Sequence, residues 1–108
     1  MKTIELKVVE FDPKPYGRYP DDGEGCGQNY REKILAPALR QHDKVHVDLT
    51  GYNRYGRSFL DEAFGGLIRE SHFSGDEVNN KLTYSHDLLQ SLITVIDDRI
   101  DAAIRDCK

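Results

Sequence analysis

The sequence predicts an α/β layer in which at least some of the strands run parallel. Three observations carry that expectation. Short stretches at 3–11, 44–50 and 81–85 read as strands, the first two alternating apolar with polar residues. Longer stretches repeat their apolar residues on the period of a helix. The order along the chain is strand, loop or hairpin, helix, strand, helix, strand, helix, and such alternation favours parallel neighbours joined by crossovers.

Each element has its own reason. In residues 3–11, Ile4, Leu6 and Val8 share one face while Glu5 and Lys7 take the other. Residues 12–27 are rich in Pro, Gly and Asp and read as loop, with room for a short hairpin strand. Residues 28–41 place Tyr30, Ile34, Leu35, Ala38 and Leu39 in one helical stripe, and Pro37 inside that stripe predicts a kink or a restart. Residues 44–50 form the cleanest strand: Val45, Val47 and Leu49 point one way, Lys44, His46 and Asp48 the other, as in a sheet covered by helices on one face. Residues 51–57 are loop, 58–71 helix, 72–80 polar loop and 81–85 a short strand. Residues 87–106 form a long helix with Leu88, Leu89, Leu92, Ile93, Ile96, Ile100, Ala103 and Ile104 along one side, a stripe that serves a core or a homodimer surface.

Composition removes whole classes of function. The 108 residues make one domain, 1–108. Fifteen basic against nineteen acidic residues leave a net charge of −4, which disfavours generic nucleic-acid binding. No apolar run reaches the roughly 18 residues of a membrane span. The N-terminal stretch alternates and lacks the apolar run of a signal peptide, so the expected compartment is the cytoplasm. Cys26 and Cys107 form no Cys-x-x-Cys pair, and His42, His46, His72 and His86 have no metal-site spacing, so no metal and no cofactor is expected. Cys26 lies in Asp22-Gly23-Glu24-Gly25-Cys26-Gly27, expected as a flexible, exposed loop whose acidic neighbours would disfavour a thiolate. His46 and Asp48 share a strand face, but no nucleophile or metal ligand accompanies them, and Asp48 is expected to hold loop amides instead.

Functional groups in α/β folds gather at the carboxyl ends of the strands, which here means the loop after Leu49. Ser58 is placed to cap the following helix, with Asp61 reaching back in a Ser-x-x-Asp capping box. Gly65 and Gly66 in mid-helix cost about 1 kcal/mol each relative to Ala, and a close approach of the helix to the sheet would offset that. Tyr16-Gly17-Arg18-Tyr19 and Tyr52-Asn53-Arg54-Tyr55-Gly56-Arg57 are both loops, and side by side they would make a basic, tyrosine-rich patch. Tyr and Arg suit interface anchoring, and also stacking on single-stranded nucleic acid.

The segments Gly17-Arg18-Tyr19, Ile34-Leu35-Ala36-Pro37-Ala38-Leu39, Val47-Asp48-Leu49 and above all Tyr55-Gly56-Arg57-Ser58-Phe59-Leu60-Asp61-Glu62-Ala63-Phe64-Gly65-Gly66-Leu67 give the chain a resemblance to STAS domains. It is closer still to the STAS-like domains of unknown function, over roughly residues 3–70. That resemblance implies a small mixed β-sheet with helices packed mainly on one face, and no enzymatic activity. It also implies a regulatory module in bacterial-type signalling that docks onto a histidine-kinase-like (GHKL) ATPase, as anti-anti-sigma factors do, with Ser58 at the position of their phosphorylated serine. The sequence departs from the switch proteins in having Arg57-Ser58-Phe59 where they carry Asp-Ser-Ser or Asp-Ser-Thr.

The surface expected to bind the partner is therefore Asp48, Tyr52, Arg54, Tyr55, Arg57, Ser58 and Asp61, within residues 48–62, with Ser58 the phosphorylation candidate. A phosphate there would sit on a helix N-terminus within reach of Arg54 and Arg57. The alternative from another class is a small-molecule or nucleotide-phosphate binding domain using the same helix N-terminus and the same two arginines.

Overall fold

A computed structural model describes residues 2–106; Cys107 lies outside them. Strand β1 is Thr3–Lys7, β2 Lys44–Asp48 and β3 Leu82–Ser85. They form one sheet in the order β1-β2-β3, and both pairings are parallel, so the sheet is purely parallel and not mixed. The first strand is shorter than its alternation suggested. Its partner ends at Asp48, opposite Lys7, and beyond that register the chain turns into helix α1, Val8–Phe11.

Helix α2 spans residues 27–41. It is α-helical at Gly27–Tyr30, widens to a π-turn at Arg31–Leu35 and resumes at Ala36–Gln41. The irregularity predicted at Pro37 takes this form: the backbone stays helical throughout, and a widened turn, with Ala36 N–H donating to Arg31 O, immediately precedes Pro37, which has no N–H to donate. Helix α3 spans 57–69 and is built the same way, with a π-turn at Asp61–Gly65. Helix α4, Gly75–Lys81, falls where polar loop was expected. Ser74 and Glu77 form a reciprocal capping box, Glu77 N–H donating to Ser74 Oγ at 3.0 Å and Ser74 N–H to Glu77 Oε1 at 3.2 Å, and Val78 is buried. Helix α5 is Gln90–Asp106.

The register sorts the sheet's two faces. Ile4, Val45 and Leu82 lie in one row and Leu6, Val47 and Tyr84 in the next, and these join the core with the helices. Leu92, Ile96, Ile100 and Ala103 of α5 are buried in that core. The other face carries Glu5, His46 and Thr83, then Lys7, Asp48 and Ser85. Glu5, Lys7 and Thr83 on it are exposed. Parallel sheets are commonly covered on both faces, so a polar, open face is a distinguishing feature of this sheet.

The expected hairpin strand in 12–27 is absent. The segment instead closes on itself through Tyr16 N–H to Gly25 O and Gly27 N–H to Gly17 O, both 2.9 Å, around a 3₁₀ turn at Pro20–Asp22. Gly17 has φ of +85°, and Asp22 packs where a Cβ would stand, so only glycine fits. Cys26 is fully buried, not exposed: it caps α2, its Sγ accepting from Asn29 N–H at 3.4 Å.

Candidate functional site

The loop after β2 is set by hydrogen bonds that begin in its own residues. Asp48 Oδ1 accepts the Thr50 N–H at 2.9 Å, the loop-amide role expected of it, and bonding from Thr50 holds its carboxyl below the usual range. Tyr55 folds inward and its hydroxyl donates to Leu49 O at 2.9 Å. Burial, with Asp48 and Tyr52 nearby, pushes the Tyr55 phenol up. Tyr52 meets Tyr55 edge-to-face with ring centres 5.2 Å apart.

His86, which sequence patterning passed over, locks the far side of this loop. Its Nδ1 accepts from the N–H groups of Leu88 and Leu89 at 3.0 and 3.1 Å. That makes Nε2 the protonated nitrogen, and it donates to Tyr52 O at 2.9 Å. A neutral, fully buried imidazole thus ties the loop to the turn before α5.

Helix α3 starts without a side-chain cap. Its N-cap is Gly56, and Ser58 is the second helical residue, so the Ser58 capping box does not form. Arg54, Arg57 and Ser58 are exposed. Ser58 and Arg57 border a cavity of about 290 Å³ that Tyr16, Gly17, Asp22, Gly56 and Phe59 complete. The two tyrosine-arginine loops therefore do meet, through Tyr16-Gly17 and Gly56-Arg57. Arg18, however, leaves the patch.

Asp61 explains where Arg18 goes. It does not reach back to Ser58. Its Oδ2 accepts from Arg18 Nη1 at 2.7 Å and Arg69 Nη2 at 3.1 Å. Glu62 beside it binds Arg31 Nη1 at 2.5 Å and Arg18 Nη1 at 3.2 Å. Arg99 approaches Asp61 to 3.9 Å. Both π-turns contribute, Arg31 opening one and Asp61-Glu62 the other, and such bulges recur at functional positions. Burial alone would raise the Asp61 carboxyl, but the Arg18 and Arg69 bonds outweigh it and hold it low. The Asp61 bond correspondingly raises Arg18.

The paired glycines belong to this cluster. A Cβ on Gly66 would collide with the Arg31 guanidinium, and one on Gly65 would stand 3.2 Å from Arg99 O. The close approach that compensates for them is thus to α5 and to Arg31, not to the sheet.

Of the expected contact residues, Arg54, Arg57 and Ser58 are exposed, Asp48 and Tyr52 half-buried, and Tyr55 and Asp61 buried. Tyr55 and Asp61 are removed from any contact surface and shape it from beneath. Among the described residues no group of three His, Cys, Asp or Glu side chains is placed to hold a metal, and no helix is long and apolar enough to cross a membrane.

A parallel sheet backed by helices, with a short loop leading into a helix that begins Arg57-Ser58-Phe59, has the layout of a STAS-like domain. The sequence model of a family described as a STAS-like domain of unknown function matches residues 27–87, more than half of the chain, and the chain belongs to that family. The match ends well past residue 70 and begins after Gly17-Arg18-Tyr19. No curated protein and no solved structure matches the chain.

Proposed function

We propose that this chain is a non-enzymatic regulatory module that binds a protein partner through the strand end at Asp48, the loop 52–57 and the first turns of α3, within residues 48–62. The observation that carries this reading is the state of the α3 start. Ser58 and Arg57 are exposed at an uncapped helix N-terminus, next to a cavity rimmed by the exposed Tyr16. An exposed tyrosine and an exposed arginine, Tyr16 and Arg57, on the rim of a concavity provide anchors of the kind that dominate interfaces. Membership of the STAS-like family supports a regulatory binding role. The resemblance to anti-anti-sigma factors supports a cytoplasmic, histidine-kinase-like ATPase as partner and Ser58 phosphorylation as the switch. A phosphate on Ser58 would meet the α3 N-terminus and lie beside Arg57 while adding about two negative charges to the contact surface.

Affinity capture from native lysate with ATP present, using wild type and Ser58→Asp as paired baits, tests this reading. Wild type is expected to enrich an ATPase of the histidine-kinase-like type, and Ser58→Asp to lose it. Equal capture by both baits removes the switch. If neither captures such an ATPase and a nucleotide raises Tm, the nucleotide-phosphate reading replaces docking, since a ligand at a hundred times its Kd stabilises by about 2.7 kcal/mol.

A further inference from the structure

His46 stands on the polar face of the sheet with both ring nitrogens on hydroxyls of β3. Nδ1 lies 2.7 Å from Thr83 Oγ1 and Nε2 lies 2.8 Å from Ser85 Oγ. The parallel register creates this contact, because it pairs His46 with Thr83 and Asp48 with Ser85 on the same face. A hydroxyl bonded to an imidazole whose other nitrogen is held by a third group is the arrangement that activates serine nucleophiles. His46 and Ser85 are half-exposed, and their neighbours Glu5, Lys7 and Thr83 are exposed, so the group is open to a reagent. We propose that Ser85 is a nucleophilic serine that becomes acylated by activated acyl donors, with His46 as its general base and Thr83 as the residue that positions the imidazole.

The protons are accounted for as follows. In the proposed tautomer Thr83 Oγ1 accepts the Nδ1 proton, so that Nε2 carries the lone pair and accepts the Ser85 hydroxyl proton. Ser85 Oγ attacks the carbonyl carbon of an activated ester. The new C–O bond forms, the bond to the leaving group breaks, and the leaving group departs with the electron pair. The serine proton passes to His46 Nε2 and from there to solvent or the leaving group. The product is an O-acyl serine, and no electrons are exchanged with a redox partner.

The experiment treats the full chain with p-nitrophenyl acetate and locates the acetyl group by peptide mass spectrometry. Ser85 is expected to be labelled stoichiometrically, and Ser85→Ala to lose the label. His46→Gln keeps polar contacts with β3 and should slow Ser85 labelling at least about tenfold, as loss of a general base does. Nitrogen-15 NMR of the native protein should find the Nδ1–H tautomer at His46, and Thr83→Val should weaken that preference. Thermal melts of each variant separate loss of the nucleophile from loss of the fold. Acetyl groups confined to lysines or tyrosines, Ser85 labelling indifferent to His46→Gln in a folded variant, or a native Nε2–H tautomer would each overturn the proposal.

Discussion

The first turn of α3 and the turn that follows it differ in almost every physical respect. Ser58 and Arg57 face solvent, have no side-chain cap to make and border a cavity. Three residues on, Asp61 and Glu62 are buried and surrounded by the guanidinium groups of Arg18, Arg31 and Arg69. Arg57 and Ser58 in the first turn make no ion pair with the cluster beneath them. The second holds Glu62 against the buried Arg31 and Asp61 between the partly exposed Arg18 and Arg69, so a charge lost there leaves an arginine without its counter-charge. One helix thus combines an exposed first turn with a buried ion-pair cluster in the next.

Removing part of the anchor should produce the largest effect. Arg31 and Glu62 have side chains only 3% and 6% exposed, and without Glu62 the guanidinium would keep only the Glu62 backbone carbonyl and Glu32 at 3.6 Å. Glu62→Ala should cost about 3–5 kcal/mol, the range for breaking a buried ion pair from one side. Urea denaturation measures it, and a loss below about 1 kcal/mol would mean that Arg31 finds water or another partner. Replacing both members, Arg31→Met with Glu62→Leu, should recover much of the loss, because a well-packed apolar pair replaces two charges that must be desolvated. Recovery would assign the pair to specificity, and no recovery would assign it to stability.

The same contrast decides how much was legible in the sequence. Hydrophobic periodicity located β1, β2, α2 and α5, because β2 buries Val45 and Val47 and α5 buries Leu92, Ile96 and Ile100 on one side each, while β3 and α3 were placed without such a pattern. The short α4 was missed because it buries only Val78 and is defined by its Ser74–Glu77 capping box, a two-residue signal within a polar stretch. The exposed end of the site was legible, since Arg57-Ser58 follows a strand end. The buried cluster was not. Arg18–Asp61 spans 43 positions and Arg31–Glu62 spans 31, and no local pattern announces a pairing at that separation. The two costly glycines were the available trace: they implied a close neighbour but not that it was an arginine and α5.

Acid should loosen the anchor before it affects the first turn. The Asp61 carboxyl is held below its ordinary value in the folded chain by Arg18 and Arg69, so the folded state binds the proton less readily than the unfolded state does. Its contribution is present above the unfolded carboxylate value of about 3.9 and is lost as pH falls through the lower folded value. Stability measured by urea titration should therefore fall on acidification below about pH 4, and Asp61→Asn, already less stable at neutral pH, should show a shallower fall. An unchanged slope in Asp61→Asn would place the acid sensitivity in other carboxylates.

The smallest expected effect on stability is the most informative for docking. Ser58→Asp adds a negative charge at the second position of α3, where the helix dipole favours it, and breaks no hydrogen bond of the folded chain. Its folding free energy should stay within about 0.5 kcal/mol of wild type, on the stabilising side. If the same variant loses its partner, the loss belongs to the surface, because the fold that presents the surface is unchanged. A destabilisation of more than about 1 kcal/mol would instead show that the α3 start is coupled to the ion-pair cluster beneath it. The exposed first turn and the buried second turn would then act as one unit, and a charge at Ser58 would be read through Asp61 and Glu62 and not at the contact itself.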